Sequence, residues 1–178
     1  MLRTIKNTNI VNEDADALIY STNVMLNCSG GVGSELVQRY GNVVQEDLHR
    51  ILRELEAHNV ERGDIFEYVS EGMPYQLLFH TIPSNGWYET TPEIIQSILA
   101  ECLHQCVNHG GIRKVLISVL ATGYGDLSKE AFFSLTAPIL NQQEFSNIDE
   151  IIIAIYDSYA FEQAAQQIKD EHLALRII

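Results

Sequence analysis

The sequence has little positive charge, few cysteines and no long apolar run. Its 178 residues contain 11 lysines and arginines against 24 aspartates and glutamates, a formal net charge of -13. A surface this acidic repels the phosphates of a nucleic-acid polymer, so we expect no binding to DNA or RNA. The three cysteines are too few, and odd in number, for a disulfide framework. They favour free thiols in a reducing compartment.

The apolar runs limit the class of protein further. The longest of them, such as Ile151–Ile155, have the length of a strand and are far too short to span a bilayer. The segment Met1–Asn9 lacks the apolar centre of a signal peptide. We therefore expect a cytoplasmic protein without a membrane partner. The length is that of a single domain, predicted over residues 1–178.

Apolar runs alternate with helical patterns, which is typical of a layered α/β fold. Because these runs lack polar alternation, they indicate strands covered on both faces. The predicted strands are Ala17–Ser21, Gln76–Ile82, Val115–Leu120 and Glu150–Tyr156, with further ones at Leu2–Lys6, Ile65–Val69 and Leu173–Ile177.

Apolar residues at helical spacing predict helices between these strands. One is predicted over Pro92–Asn108, with Thr91 as its N-cap and Gly110 beyond its end. Another contains Val44, Leu48, Ile51, Leu52 and Leu55, a third follows Asp126, and a fourth follows Asp157 or Ser158. In sheets between helical layers, ligands bind at the carboxyl ends of the strands.

Two glycine-bearing turns occupy such positions. Gly30–Ser34 precedes one helical pattern, and Thr122–Gly125 precedes another. Glycine lets the backbone approach a ligand and direct its N–H groups inward. A helix N-terminus behind such a turn favours an anion. Two such turns in one domain indicate a phosphate-bearing nucleotide held between them.

The first turn fits neither of two common phosphate-binding motifs. It lacks the Gly-Lys-Ser/Thr ending of a P-loop. Leu36 stands where a dinucleotide fingerprint has its third glycine.

The order of these segments resembles the macrodomain family, whose members bind ADP-ribose. Thr8–Asn23 resembles the opening of the family, and Gly30–Gly33 its first phosphate loop. Phe79–Pro83 resembles its central strand, Ala121–Gly125 its second loop, and Ile155–Asp157 its last strand end. The resemblance implies a three-layer α/β/α sandwich with a mixed central sheet. It also implies binding of ADP-ribose or a related ADP-ribose-containing metabolite or modification, with no cofactor.

The resemblance also implies roles for particular residues. Asn9 would lie by the adenine edge, and Asn23 would contact the distal ribose. The two turns would wrap the pyrophosphate and the distal ribose, with Tyr124 along the distal ribose. Tyr156 and Asp157 would border the adenine pocket. The ligand-contacting residues implied in this way are Asn9, Ile10, Asn23, Gly30, Gly31, Val32, Gly33, Ser34, Thr122, Gly123, Tyr124, Gly125, Tyr156 and Asp157.

The sequence departs from the family at several positions. Asn9 stands where the family usually has aspartate, and Tyr20 where many members have asparagine. Gly33 and Ser34 stand where one hydrolase class has Asp-Gly, and residues 23–40 lack the lysine that another class uses as a nucleophile. Enzymatic activity therefore stays open, with Asn23, Asp126 and Glu35 as candidate catalytic residues.

Two alternatives accompany the binding hypothesis. The first is a hydrolase of ADP-ribosyl esters, ADP-ribose 1''-phosphate or O-acetyl-ADP-ribose. The second is an interaction module whose nucleotide pocket has degenerated, which predicts no nucleotide affinity. An ADP-ribosylated protein is a further candidate partner of a binding module.

Several of these residues also have structural interpretations. Asn23 is suited to brace a turn, and Asp126 is interpreted first as the N-cap of its helix. His80 lies within an apolar strand, where a buried and hydrogen-bonded histidine is expected. Tyr124, between two glycines, is expected to be exposed.

The cysteines divide into two groups. Cys102 and Cys106 fall on the apolar stripe of their helix, so we expect no metal site there. Cys28 lies in the first glycine-bearing segment and is expected to be accessible.

Overall fold

Seven strands form one sheet in the computed structural model of the protein. The structure describes all 178 residues of the chain. The strands are β1 (Leu2–Asn7), β2 (Ala17–Ser21), β3 (Ile65–Glu67), β4 (Leu77–Thr81), β5 (Lys114–Ser118), β6 (Glu150–Ile155) and β7 (Arg176–Ile177). Their order across the sheet is β3-β4-β2-β5-β6-β1-β7. All neighbouring strands are parallel except β3 and β4. The predicted mixed sheet is thus confirmed.

Five helices cover the two faces of this sheet. They are α1 (Gly31–Tyr40), α2 (Val43–Glu54), α3 (Pro92–His109), α4 (Lys129–Leu140) and α5 (Ser158–Asp170). The apolar residues of α1 and α2 pack with one face of the sheet, and those of α3, α4 and α5 pack with the other. The fold is therefore the expected three-layer α/β/α sandwich. None of the helices combines the length and the apolar character that crossing a bilayer requires.

Most of the predicted elements are present, with adjusted ends. The predicted strand at Leu173–Ile177 is reduced to Arg176–Ile177, because Leu173 still donates its N–H to the carbonyl of Ile168 at the end of α5. Leu55, predicted on the apolar stripe of α2, instead follows the helix as its C-cap and is 53% exposed.

The helix caps follow local sequence in three cases and differ in one. Thr91 and Asp157 cap α3 and α5, and Gly110 ends α3 in the left-handed conformation. The prediction of Asp126 as the N-cap of α4 is wrong. Ser128 is the cap, and its hydroxyl accepts from the N–H of Ala131 at 3.1 Å.

The parallel strands place five loops at one edge of the sheet. Along this edge, the carboxyl ends follow one another in the order β4, β2, β5, β6 and β1. Both glycine-bearing turns, the segment after Thr81 and the short connections after Ile155 and Asn7 therefore lie side by side.

Candidate functional site

A cavity of about 990 Å³ opens at this carboxyl edge of the sheet. Every residue that the sequence assigned to ligand binding lines it. Glu35 lines the cavity as well, whereas Asp126 does not. The fold therefore brings together segments that lie far apart in the chain, from Asn9 to Asp157.

The first glycine turn leads into the N-terminus of α1. Gly30 and Gly31 have φ angles of 74° and 48°, which favour glycine. No side chain caps α1, and the N–H groups of Gly31, Val32 and Gly33 have no partner within the protein. The three residues line the cavity and form the first turn of α1, where free N–H groups point away from the helix along its axis. They are therefore available as donors for an anion.

The second glycine turn is tightly folded. A Cβ atom at Gly125 would lie 2.2 Å from the carbonyl oxygen of Ala121, so only glycine fits there. Tyr124, in the same turn, is 76% exposed, as expected. A Cβ atom at Gly30 would lie only 3.2 Å from Cε2 of Tyr124, so the tyrosine ring rests directly on the first turn. The two turns thus meet through Gly30 and Tyr124.

The side chain of Asn23 is engaged by its own loop. Its Oδ1 accepts from the N–H groups of Met25 and Asn27 at 3.1 and 3.2 Å. Its Nδ2 donates to the carbonyl of Asn27 at 2.9 Å. Asn23 therefore braces the turn that shapes this part of the cavity, in agreement with its structural interpretation.

Asn9 is likewise engaged within the protein. Its Oδ1 accepts from the N–H of Val11 at 3.2 Å, and its Nδ2 donates to Oε2 of Glu35 at 2.8 Å. The first bond makes Asn9 the cap of a short 3₁₀ helix over Ile10–Asn12. The second bond fixes the carboxylate of Glu35 beside Asn9.

The two ends of the cavity differ in polarity. At the end formed by β6 and β1, called the apolar end below, the lining includes the apolar Ile10, Ala154, Ile155 and Tyr156 beside the polar Thr8, Asn9, Glu35 and Asp157. At the end formed by β2 and β4, amide and hydroxyl side chains predominate. The second group comprises Thr22, Asn23, Asn27, Ser29, Ser84 and Asn85. A ligand with one flat apolar group, a central anion and a hydroxyl-rich group matches this arrangement.

Comparison with known families agrees with this geometry. The family model described as Macro domain matches residues 19–135. The chain belongs to the macrodomain family. No curated protein sequence matches this macrodomain.

Solved structures of other macrodomains share its fold. A single-residue mutant of the Oceanobacillus iheyensis macrodomain with ADPR has a TM-score of 0.75 at 14% identity, covering 94% of this chain and 92% of that one. The Trypanosoma brucei macrodomain in complex with ADP-ribose has a TM-score of 0.72 at 15% identity, covering 92% and 68%. The macrodomain of Thermus aquaticus DarG has a TM-score of 0.65 at 17% identity, covering 87% and 98%.

Asp126 lies outside the cavity of this macrodomain and supports a neighbouring loop. Its Oδ1 accepts from the N–H of Thr90 at 2.9 Å, and its own N–H donates to the carbonyl of Tyr88. This contact with the segment after β4 explains why Asp126 does not cap α4.

Cys28 is buried rather than accessible, which corrects the expectation from the sequence. Its N–H donates to Oε1 of Gln45 on α2 at 2.7 Å, and only 9% of the residue is exposed. Gly33 closes this packing, because a Cβ atom there would lie 3.0 Å from Cα of Cys28. Burial raises the pKa of the Cys28 thiol. This disfavours the thiolate, which is the form that acts as a nucleophile.

Sequence reasoning missed several lining residues. The segment Pro83–Asn85 and Tyr88 follow β4, and the rule that ligands bind at carboxyl ends of strands was sufficient to find them. Lys129, at the start of α4, is the one lysine or arginine in the lining. The others are Thr8, Ser21, Thr22, Asn27, Ser29, Ser118, Val119, Ala121, Ala154, Ile155 and Ala160.

Proposed function

We propose that this macrodomain binds ADP-ribose or a related metabolite or modification that contains it. The observation that carries the proposal is the meeting of two glycine turns over one cavity, with uncapped N–H groups of α1 on its wall. The cavity volume of 990 Å³ is at the upper end of the range for small-molecule sites. Support also comes from related structures solved with ADP-ribose and with ADP.

In the proposed complex, the pyrophosphate accepts hydrogen bonds from the N–H groups of Gly31, Val32 and Gly33. Neutral backbone donors and the helix dipole suffice for this contact in a protein with a strongly negative net charge. The adenine lies at the apolar end near Ile10 and Ile155. The distal ribose lies at the polar end, on the turn that Asn23 braces.

The proposal favours binding over hydrolysis. A hydrolase that uses water needs a positioned base. Asp126 is directed towards Thr90, and Glu35 is held by Asn9 at the apolar end of the cavity. On this proposal, a protein that carries ADP-ribose is the corresponding macromolecular partner.

The first test is a calorimetric titration of the full chain with ADP-ribose, with AMP and ADP as comparisons. We expect micromolar affinity for ADP-ribose and weaker affinity for ligands without the distal ribose. Failure of all three nucleotides to bind would contradict the proposal and favour the interaction module. Incubation with an ADP-ribosyl ester, followed by product analysis, tests hydrolysis separately.

A variant of the first turn locates the site. In Gly31→Val, the new Cβ atom meets no protein atom within 4 Å and stands on a residue of the cavity lining, so we expect loss of binding without a backbone clash. The positive φ angle costs about 1–2 kcal/mol of stability. Gly110→Val is the matched control, because Gly110 also has a positive φ angle and free space but lies away from the cavity. Unchanged ADP-ribose affinity in Gly31→Val would place the ligand elsewhere.

A further inference from the structure

The hydrogen bond between Asn9 and Glu35 changes which group faces the ligand at the apolar end of the cavity. The carbonyl oxygen of the Asn9 side chain is used by the N–H of Val11, and its amide group donates to Glu35. The Asn9 side chain therefore offers a ligand only the second lone pair of a neutral amide oxygen. The carboxylate that it holds is a charged acceptor that also lines the cavity.

The carboxylate of Glu35 has capacity for further donors. Its Oε2 accepts from Asn9, and its Oε1 has no hydrogen-bond partner within the protein. Glu35 forms no ion pair, is half-buried, and lines the cavity. A carboxylate without a proton only accepts hydrogen bonds, so a favourable ligand must bring an N–H or O–H donor to this position.

The surroundings indicate which part of a ligand meets Glu35. Ile10, Ile155 and Tyr156 provide apolar surface for the faces of a planar ring, at the end of the cavity away from the hydroxyl-rich side chains. A nucleobase has apolar faces and a polar edge. Its edge is the part that carries either an exocyclic amino donor or a carbonyl acceptor.

We propose that Glu35, positioned by Asn9, reads the base edge and selects bases with an exocyclic amino group over bases with a carbonyl at the same position. The inference rests on the proposed function and adds the residue that determines base selectivity. Adenine donates from its amino group to Oε1 of Glu35. Hypoxanthine has a carbonyl in place of that amino group, which brings an acceptor against Oε1, and its N1–H donor lies one ring position away.

The test compares ADP-ribose with inosine diphosphate ribose, in which a carbonyl replaces the amino group and the neighbouring N1 carries a hydrogen, by calorimetry on the full chain. A hydrogen bond to a charged group corresponds to a preference of about tenfold or more for ADP-ribose. In Glu35→Gln, the side-chain amide can also donate, so the preference should shrink to about threefold or less, with weaker ADP-ribose binding and stronger binding of the hypoxanthine ligand.

A second variant separates Glu35 from position 9. Asn9→Asp removes the donor to Glu35 and brings a second carboxylate close to the first, so we expect weaker ADP-ribose binding. If residue 9 itself reads the base, the same change supplies a free acceptor and strengthens binding. Tighter binding by Asn9→Asp together with an unchanged preference in Glu35→Gln would overturn the inference.

The control for charge is Glu54→Gln, which removes one carboxylate from an exposed position at the end of α2, outside the cavity. It should keep the base preference of the unmodified chain. Thermal melts establish that each variant is folded. Equal affinity of the unmodified chain for both nucleotides would overturn this inference and leave the proposed function standing. Absence of binding by either nucleotide would overturn both.

Discussion

The hydroxyl of Tyr20 donates a hydrogen bond to Nδ1 of His80 at 2.6 Å inside the sheet. The two residues are register partners on β2 and β4, and both are fully buried. Nε2 of His80 lies 3.0 Å from the carbonyl of Tyr68, and a carbonyl only accepts, so the ring proton resides on Nε2. The expectation of a buried, hydrogen-bonded histidine is confirmed. Tyr20 is therefore directed at a neighbouring strand and does not line the cavity.

This buried histidine predicts a loss of stability in mild acid. Burial lowers the pKa of His80 from 6.5 to about 4. Above pH 6.5 the histidine is neutral in both states, and its contribution is complete. Between these two pKa values the unfolded chain binds a proton that the folded chain does not, so the free energy of unfolding falls, by about 3 kcal/mol in total.

Urea denaturation at several pH values across this range measures the effect. His80→Gln is the comparison, because it removes the titrating ring. Its stability should depend less steeply on pH than that of the unmodified chain. Parallel pH profiles of the two proteins would show that His80 does not titrate as described.

Tyr20→Phe should separate stability from binding. The change keeps the ring and removes the donor to His80, which costs about 1–2 kcal/mol of stability. Because Tyr20 lies outside the cavity, we expect ADP-ribose affinity to change by no more than about twofold, within ordinary context effects. Chemical denaturation and calorimetry on the same preparation provide both values. A large loss of affinity in a folded Tyr20→Phe protein would contradict the placement of this side chain.

Tyr124→Ala should lower ADP-ribose affinity with little change in stability. The ring is 76% exposed, so its loss should change stability by about 0.5 kcal/mol or less. The ring also rests on Gly30 at the junction of the two turns, and its removal uncovers the proposed pyrophosphate position. We expect ADP-ribose affinity to fall about tenfold, as for a well-packed aromatic contact.

Tyr159→Ala is the matched control for this experiment, because Tyr159 is 69% exposed and does not line the cavity. Calorimetric titration of both variants gives the comparison. Similar ADP-ribose affinities for the two variants would indicate that Tyr124 makes no contribution to ligand binding.

The elements and the edge that carries the site were predictable from local sequence. Apolar runs without alternation located the strands, and the glycine turns located the helix N-terminus in the cavity. The errors arise from contacts between distant segments. Asp126 and Ser128 are both suitable N-caps, and the N–H of Thr90 decides between them. The burial of Cys28 depends on Gln45 of α2.

The pairing of Asn9 with Glu35 is of the same kind, since 26 positions separate the two residues in the sequence. Neither local segment indicates that the amide group of Asn9 will donate to the carboxylate of Glu35. The residue types in the cavity were therefore largely predictable, but their hydrogen-bond commitments were not. The cytoplasmic location expected from the composition stays a prediction.

Arg3 is a further long-range case and predicts a large stability effect far from the cavity. Its side chain is buried and donates to the carbonyls of Leu140, Phe145 and Ile148 at 2.6, 2.9 and 3.1 Å. Its charge has no carboxylate partner, and burial lowers the pKa of the guanidinium to about 10. The guanidinium thus ties β1 to the chain that leads from α4 into β6.

Arg3→Met keeps an unbranched chain of similar shape but leaves these carbonyls without donors, so we expect a loss of about 3 kcal/mol or more in the free energy of unfolding. Arg3→Lys should recover only part of it, because an ammonium group cannot reproduce the planar fork. Urea denaturation measures both. Arg176→Met on β7 removes an exposed arginine and should change stability by about 0.5 kcal/mol or less. If both arginine-to-methionine variants lost the same small amount, the buried hydrogen bonds of Arg3 would contribute nothing to the fold.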